Sequence, residues 1–162
     1  MCNNLKTANN QPQALMVPAD EDRFGYFKIL GISSIAFKVT SHESNDLFVV
    51  EITLVQTGGP AKHVHLYQDE WFYVVEGEFI LEVGDTQFRL KPGDSAFGPR
   101  KVPHVWAFVA GVSGKMIFVV SPVGKLEKFF VEAGKTNKLP GADQNQWRPY
   151  GMEWVGPPLQ IE

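Results

Sequence analysis

A chain of 162 residues with 44% hydrophobic and 20% charged residues is long enough for one domain with a sizeable core, in the ordinary composition range of soluble globular proteins. Its formal net charge of −3, from 18 acidic and 15 basic residues, offers no electrostatic case for nucleic acid or an anionic membrane surface. Cys2 is the lone cysteine and excludes an intramolecular disulfide, no apolar stretch approaches the roughly 18 residues of a spanning helix, and the polar first fifteen residues are unlike a signal peptide. The expected location is the cytoplasm.

Taken in order, residues 1–14 read as a disordered tail, because Asn and Gln dominate and little can be buried. Residues 15–162 read as one domain. Its first part, 15–42, holds short apolar pieces at 24–30 and 35–39, expected as edge strands or as an arm packed on a neighbour. Strand signals then come densely: 47–56, 71–75, 79–83, 87–90, 95–97, 105–109 and 115–120. Gly84 and Asp85 between two of these predict a two-residue hairpin turn. Gly and Pro punctuate the run at short intervals, which favours an all-β antiparallel barrel over β-α-β units. One helix is expected at 125–135, where Leu126, Phe129, Phe130 and Ala133 recur at helical spacing and give an apolar face suited to covering one end of the barrel. The segment from 139 onward carries Trp147 and Trp154 and is too aromatic for a free tail; it is expected to lie across the domain or a partner subunit.

Three of the four histidines fall in two short segments that also contain Glu70. His63 and His65 alternate by two, so on a strand they share a face, roughly 7 Å apart. At that spacing both imidazoles can converge on one ion, about 2.1 Å from each nitrogen. Glu70 follows a short bend and can return from the next strand; His104 begins a later one. Three imidazoles and a carboxylate suit a divalent transition metal: Fe, Mn, Ni, Co, Cu or Zn. His42 sits among Ser41, Glu43, Ser44 and Asn45 and is expected to be exposed.

The spacing of these residues resembles the paired motifs of the cupin superfamily. The first segment reads His63-x-His65, four residues, Glu70, six residues, Gly77; the second reads Gly93, five residues, Pro99, four residues, His104. Fifteen residues separate the two, as in small bacterial cupins. The likeness is close over about residues 47–121, the metal-binding barrel core, and looser elsewhere. Three positions depart from the pattern. Gly58 lies one residue nearer His63 than is common, Lys101 stands where glycine is frequent, and Phe108 stands where asparagine is frequent. None removes a ligand, but the last makes the pocket more apolar. The resemblance implies a jelly-roll barrel and, often, a homodimer.

Within such a barrel, Phe72, Trp106 and Phe108 share strand faces with the ligands and are expected to line a pocket for a flat, mostly apolar molecule. Glu70 is the motif's candidate general base. Arg100 and Lys101 read as solvated loop charges or as groups at the pocket mouth. Gly98-Pro99-Arg100, the aromatic strand after His104 and the closing Tyr150-Gly151-Met152-Glu153 are similar to bacterial quercetin dioxygenase-like cupins. That similarity implies a metal-dependent dioxygenase acting with dioxygen on a phenolic or enolic molecule. Fold alone leaves open an isomerase, a decarboxylase, a thiol oxygenase or a non-enzymatic small-molecule binder.

Overall fold

A computed structural model describes residues 13–138 and 140–161 of the chain. Most of the expected tail at 1–14, including Cys2, lies outside the described residues. Nine strands are present: β1 Lys28–Leu30, β2 Ser33–Val39, β3 Phe48–Leu54, β4 Lys62–His65, β5 Asp69–Val83, β6 Thr86–Leu90, β7 Ser95–Gly98, β8 His104–Ser121 and β9 Met152–Gly156. One α-helix, α1 Leu126–Gly134, and two short 3-10 turns, Gln144–Gln146 and Arg148–Tyr150, complete the chain. Every strand pairing is antiparallel, and the sheet runs β1-β2-β3-β8-β4-β9, with β5 joined to β6, β7 and β8. The curled antiparallel sheet is the all-β jelly-roll architecture expected. Among the described residues, no helix is long and apolar enough to cross a membrane.

Two strands are longer than the residue patterns suggest. The pieces at 71–75 and 79–83 merge into β5, and those at 105–109 and 115–120 merge into β8. A glycine with left-handed backbone allows each to bend without breaking: Gly77 has φ of 77° and Gly111 has φ of 127°. The two glycines face each other, since a Cβ on Gly111 would lie 3.2 Å from Gly77 Cα. The β5–β8 register shifts here, between Val74 and Phe79. Both strands therefore turn together, and the sheet closes on itself around them. The hairpin at Gly84-Asp85 forms as expected, with Val83 paired to Thr86 and φ of 58° at Gly84.

The inward face is filled mainly by large apolar groups. Phe37 and Phe48 pack edge to face at 5.0 Å, and Phe130 of α1 reaches Phe48 and Phe118 at 6.0 and 5.8 Å. Leu126 and Phe129 are the buried side chains of α1, and burying each contributes roughly 1.5–3 kcal/mol. This anchors the helix over one end of the barrel. The early apolar pieces become β1, an edge strand, and β2, which is interior to the sheet. The closing segment adds β9 to the free side of β4.

Candidate metal centre

β4 supplies His63 and His65, β5 supplies Glu70 as its second residue, and β8 supplies His104 as its first. The pairing of His63 with His104 across β4 and β8 brings the two motifs together. All four side chains are buried, and one ligand atom from each lies within 4.8 Å of all the others. The imidazole rings pack at 4.6 to 5.3 Å between centroids.

The hydrogen bonds set the chemistry of the donors. His63 Nδ1 lies 2.8 Å from the Ala61 carbonyl, and His104 Nδ1 lies 3.3 Å from the Val102 carbonyl. A carbonyl only accepts, so each Nδ1 carries a proton, and in the neutral imidazole that leaves the Nε2 lone pair free for a metal. His104 Nε2 is 2.9 Å and His65 Nε2 is 3.3 Å from Glu70 Oε2. Despite that proximity, His104 Nε2 and Glu70 Oε2 are both buried without a hydrogen-bond partner. The atoms converge on a shared point rather than on one another. A lone pair facing a carboxylate oxygen at this distance is repulsive unless a cation lies between them. The donor set therefore fits a divalent metal.

Electrostatics agree with that fit. Burial, with repulsion from His104 and His65, pushes the His63 imidazole down to about 3, against the weaker pull of Glu70 and the Ala61 carbonyl. It is neutral at pH 7, as a ligand must be. Burial alone would raise the Glu70 carboxyl; hydrogen bonds and charge attraction from proton-bearing His104 and His65, standing where a metal would supply the positive charge, hold it well below the usual carboxylate range.

The surrounding loops are pinned. Asp69 accepts from the Arg100 backbone N–H at 2.9 Å and from its guanidinium at 3.0 and 2.7 Å, joining the start of β5 to the turn after β7. Arg100 is thus engaged at the surface and does not line the cavity. Lys101 donates its backbone N–H to the His65 carbonyl at 2.7 Å from a left-handed conformation, φ of 67°. His42 is exposed, as its polar surroundings suggest.

A cavity opens beside His63, His65 and Glu70. Pro60, Trp106 and Phe118 contribute from the barrel, Leu126, Phe129 and Phe130 from α1, and Trp147 and Met152 from the closing segment. Its volume is about 60 Å³. Of the three aromatics expected to line a pocket, only Trp106 does so. Phe72 is fully buried beneath the site, with its ring edge to face with His104 at 5.8 Å. Phe108 lies four residues beyond His104, about 13 Å along the strand, and packs on Phe79 at the glycine bend. A shared strand face placed these side chains inside the barrel, but their distance along and beneath it takes them out of the cavity. The expectation had instead passed over Trp147. Its ring stacks on His63 at 5.4 Å with 27° between planes.

Residues 41–120 match the family model described as the cupin domain. The chain belongs to the cupin superfamily. Among solved structures, this cupin is similar to KdgF from Halomonas sp., with 25% identity and a TM-score of 0.51 over 56% of this chain and 79% of that one. It also shares its fold with the Streptomyces nucleoside dehydratase Pac13, at 11% identity and a TM-score of 0.53 over 85% of this chain and 86–87% of that one. Among curated proteins, it is 31% identical over 64 residues to an oxidoreductase of Arthrobotrys oligospora, covering 38% of this chain and 25% of that one. The cupin spans about half or less of the length of the curated relatives it matches.

Proposed function

We propose that this cupin binds one divalent transition metal through His63, His65, Glu70 and His104, and uses it as a dioxygenase on a flat phenolic or enolic small molecule. The observation that carries the metal reading is the convergence of buried, unpartnered donor atoms on one point. The mostly apolar cavity beside them supports an uncharged organic substrate. The quercetin dioxygenase-like motifs and the oxidoreductase named among the relatives support redox chemistry. The whole of residues 15–162 would act as one domain, and two copies would form a homodimer.

The bound ion would supply an electrophilic centre that acidifies a hydroxyl and can engage dioxygen. This chain's residues would do the rest. Glu70, the one carboxylate among the residues lining the cavity, is placed to accept the proton released from the substrate hydroxyl. Trp106 forms one apolar wall, and the cap of α1 and the closing segment excludes water.

The test is oxygen consumption by protein loaded in turn with Fe, Mn, Ni, Co, Cu and Zn, against catechols, enediols and flavonols. Uptake dependent on both metal and substrate is the expected result, and Glu70→Gln should lose most of it while keeping part of the metal. Metal binding with no oxygen uptake on any of these compounds would remove the dioxygenase reading and leave an isomerase, a decarboxylase or a small-molecule binder.

A further inference from the structure

Trp147 lies at the junction of the two 3-10 turns, far in sequence from both histidine motifs. It is 2% exposed and sandwiched: one neighbour is the His63 imidazole, the other the Phe129 ring at 5.6 Å. The indole forms the cavity wall next to a metal ligand, with Met152 beside it.

This wall is held from several sides. The indole N–H donates to the Gly141 carbonyl at 2.8 Å, and the Gly141 N–H donates to Gln146 Oε1 at 2.8 Å. The Trp147 carbonyl accepts from the backbone N–H groups of Tyr150 and Met152 at 3.0 and 3.3 Å. Gln144 binds both the carbonyl and the N–H of Trp154 in β9, at 2.6 and 3.1 Å. The ring is therefore fixed to the sheet edge beside β4, not carried on a loose flap.

The space it leaves is small. About 60 Å³ has room for roughly four waters, and is well short of the roughly 150 Å³ of a dry cavity known to take up benzene. The lining is also electrically simple. Among the described residues that form it, His63, His65 and Glu70 are the only titratable groups, Ser33 carries the only hydroxyl, and there is no lysine or arginine to receive an anion. Loss of the indole would open space directly against His63.

We propose that Trp147 is the size-selecting wall of the site, restricting wild-type protein to neutral molecules of a few heavy atoms that present an oxygen donor towards the four ligands. The proposal narrows the phenolic and enolic range to small enolic molecules without an aromatic ring and rests on the metal reading above. A multi-ring flavonol is excluded as long as the indole stays in place.

Hydroxamates test this without turnover. They are neutral in solution and present two adjacent oxygens, as an enediol does. Wild-type, Trp147→Ala and Trp147→Phe proteins, loaded with Co(II), are titrated with acetohydroxamate and benzohydroxamate while the visible Co(II) spectrum is followed. Wild type should bind acetohydroxamate at least tenfold more tightly than benzohydroxamate. Trp147→Ala should gain tenfold or more for benzohydroxamate and change less than threefold for acetohydroxamate. Trp147→Phe, which keeps a ring on His63 and sheds part of the indole, should gain two- to fivefold and serves if the alanine variant does not fold. Equal wild-type affinities, or no gain in a folded variant, would overturn the proposal. A parallel arm uses metal-free protein and phenol, measured by calorimetry. Binding by Trp147→Ala or Trp147→Phe but not wild type supports the size wall even if Co(II) fails to bind, which would instead refute the metal reading. Phenol binding by metal-free wild type would count against the size wall alone.

Discussion

Replacing Lys101 with glycine should stabilise this protein, although it removes a side chain and adds none. Lys101 has φ of 67°, the left-handed region, and is held there because its N–H donates to the His65 carbonyl at 2.7 Å. Its side chain is exposed and has no ion-pair partner among the described residues. A non-glycine residue in this conformation costs about 1–2 kcal/mol. Glycine relieves that cost but returns about 0.4–1 kcal/mol by loosening the unfolded chain. The net gain is about 0.5–1 kcal/mol, or a melting temperature higher by about 1–4 °C for a chain of this size. The assay is thermal unfolding followed by circular dichroism on metal-free protein, so that ligand binding does not enter the comparison. Metal affinity should be unchanged, because the backbone bond to His65 survives. A lower melting temperature for Lys101→Gly would refute the reasoning, since it would mean that the lysine side chain contributes more than its backbone conformation costs.

Gly77→Ala should act in the opposite direction. Its Cβ would lie 2.6 Å from the Ser113 carbonyl oxygen and 2.7 Å from Phe108 Cε2, at φ of 77°, so chemical denaturation should show a loss of about 2–5 kcal/mol. Acid stability should depend on Glu43. Burial opposes its ionisation, but bonds from Thr40, Arg23 and His42 lower its carboxyl from 4.5 to about 2. A carboxyl depressed on folding adds stability above its unfolded value and loses it as pH falls through its folded value, so the wild-type decline between pH 4.5 and about 2 should be shallower in Glu43→Gln; identical slopes would contradict this. Light scattering should give twice the 18.1 kDa chain mass. Val39, Val49, Val119, Trp71 and Phe97 form a continuous row across the outer sheet, with Trp71 and Phe97 exposed, and Trp71→Glu with Phe97→Glu should reduce that mass to one chain if this face is the contact.

Much of the barrel was legible because its signals are local. Alternation, β-branched runs and the Gly84-Asp85 turn locate strands within a few residues of each other, and the spacing of Leu126, Phe129 and Phe130 locates α1. The clustering of the four candidate ligands was legible for the same reason: alternation puts His63 and His65 on one face, and the motif places Glu70 and His104 near strand starts. What was not legible depends on distance in space. Nothing local distinguishes Gly77 and Gly111 as bends from the same residues as strand breaks; their mutual contact decides it. Phe72 and Phe108 share faces with ligands, yet one lies beneath the site and the other at the far bend. Trp147 and Met152 carry no periodic pattern, and their place beside His63 follows only once β9 pairs with β4.

The central claim is that four buried side chains on three strands hold one metal ion. Metal content per chain, measured by elemental analysis on protein purified without added metal and again after reconstitution, tests it most directly. The account predicts one divalent transition metal per reconstituted wild-type chain and none in the His63→Ala, His65→Ala double variant. A folded wild type that takes up no metal, or a double variant that keeps a full equivalent, would contradict it.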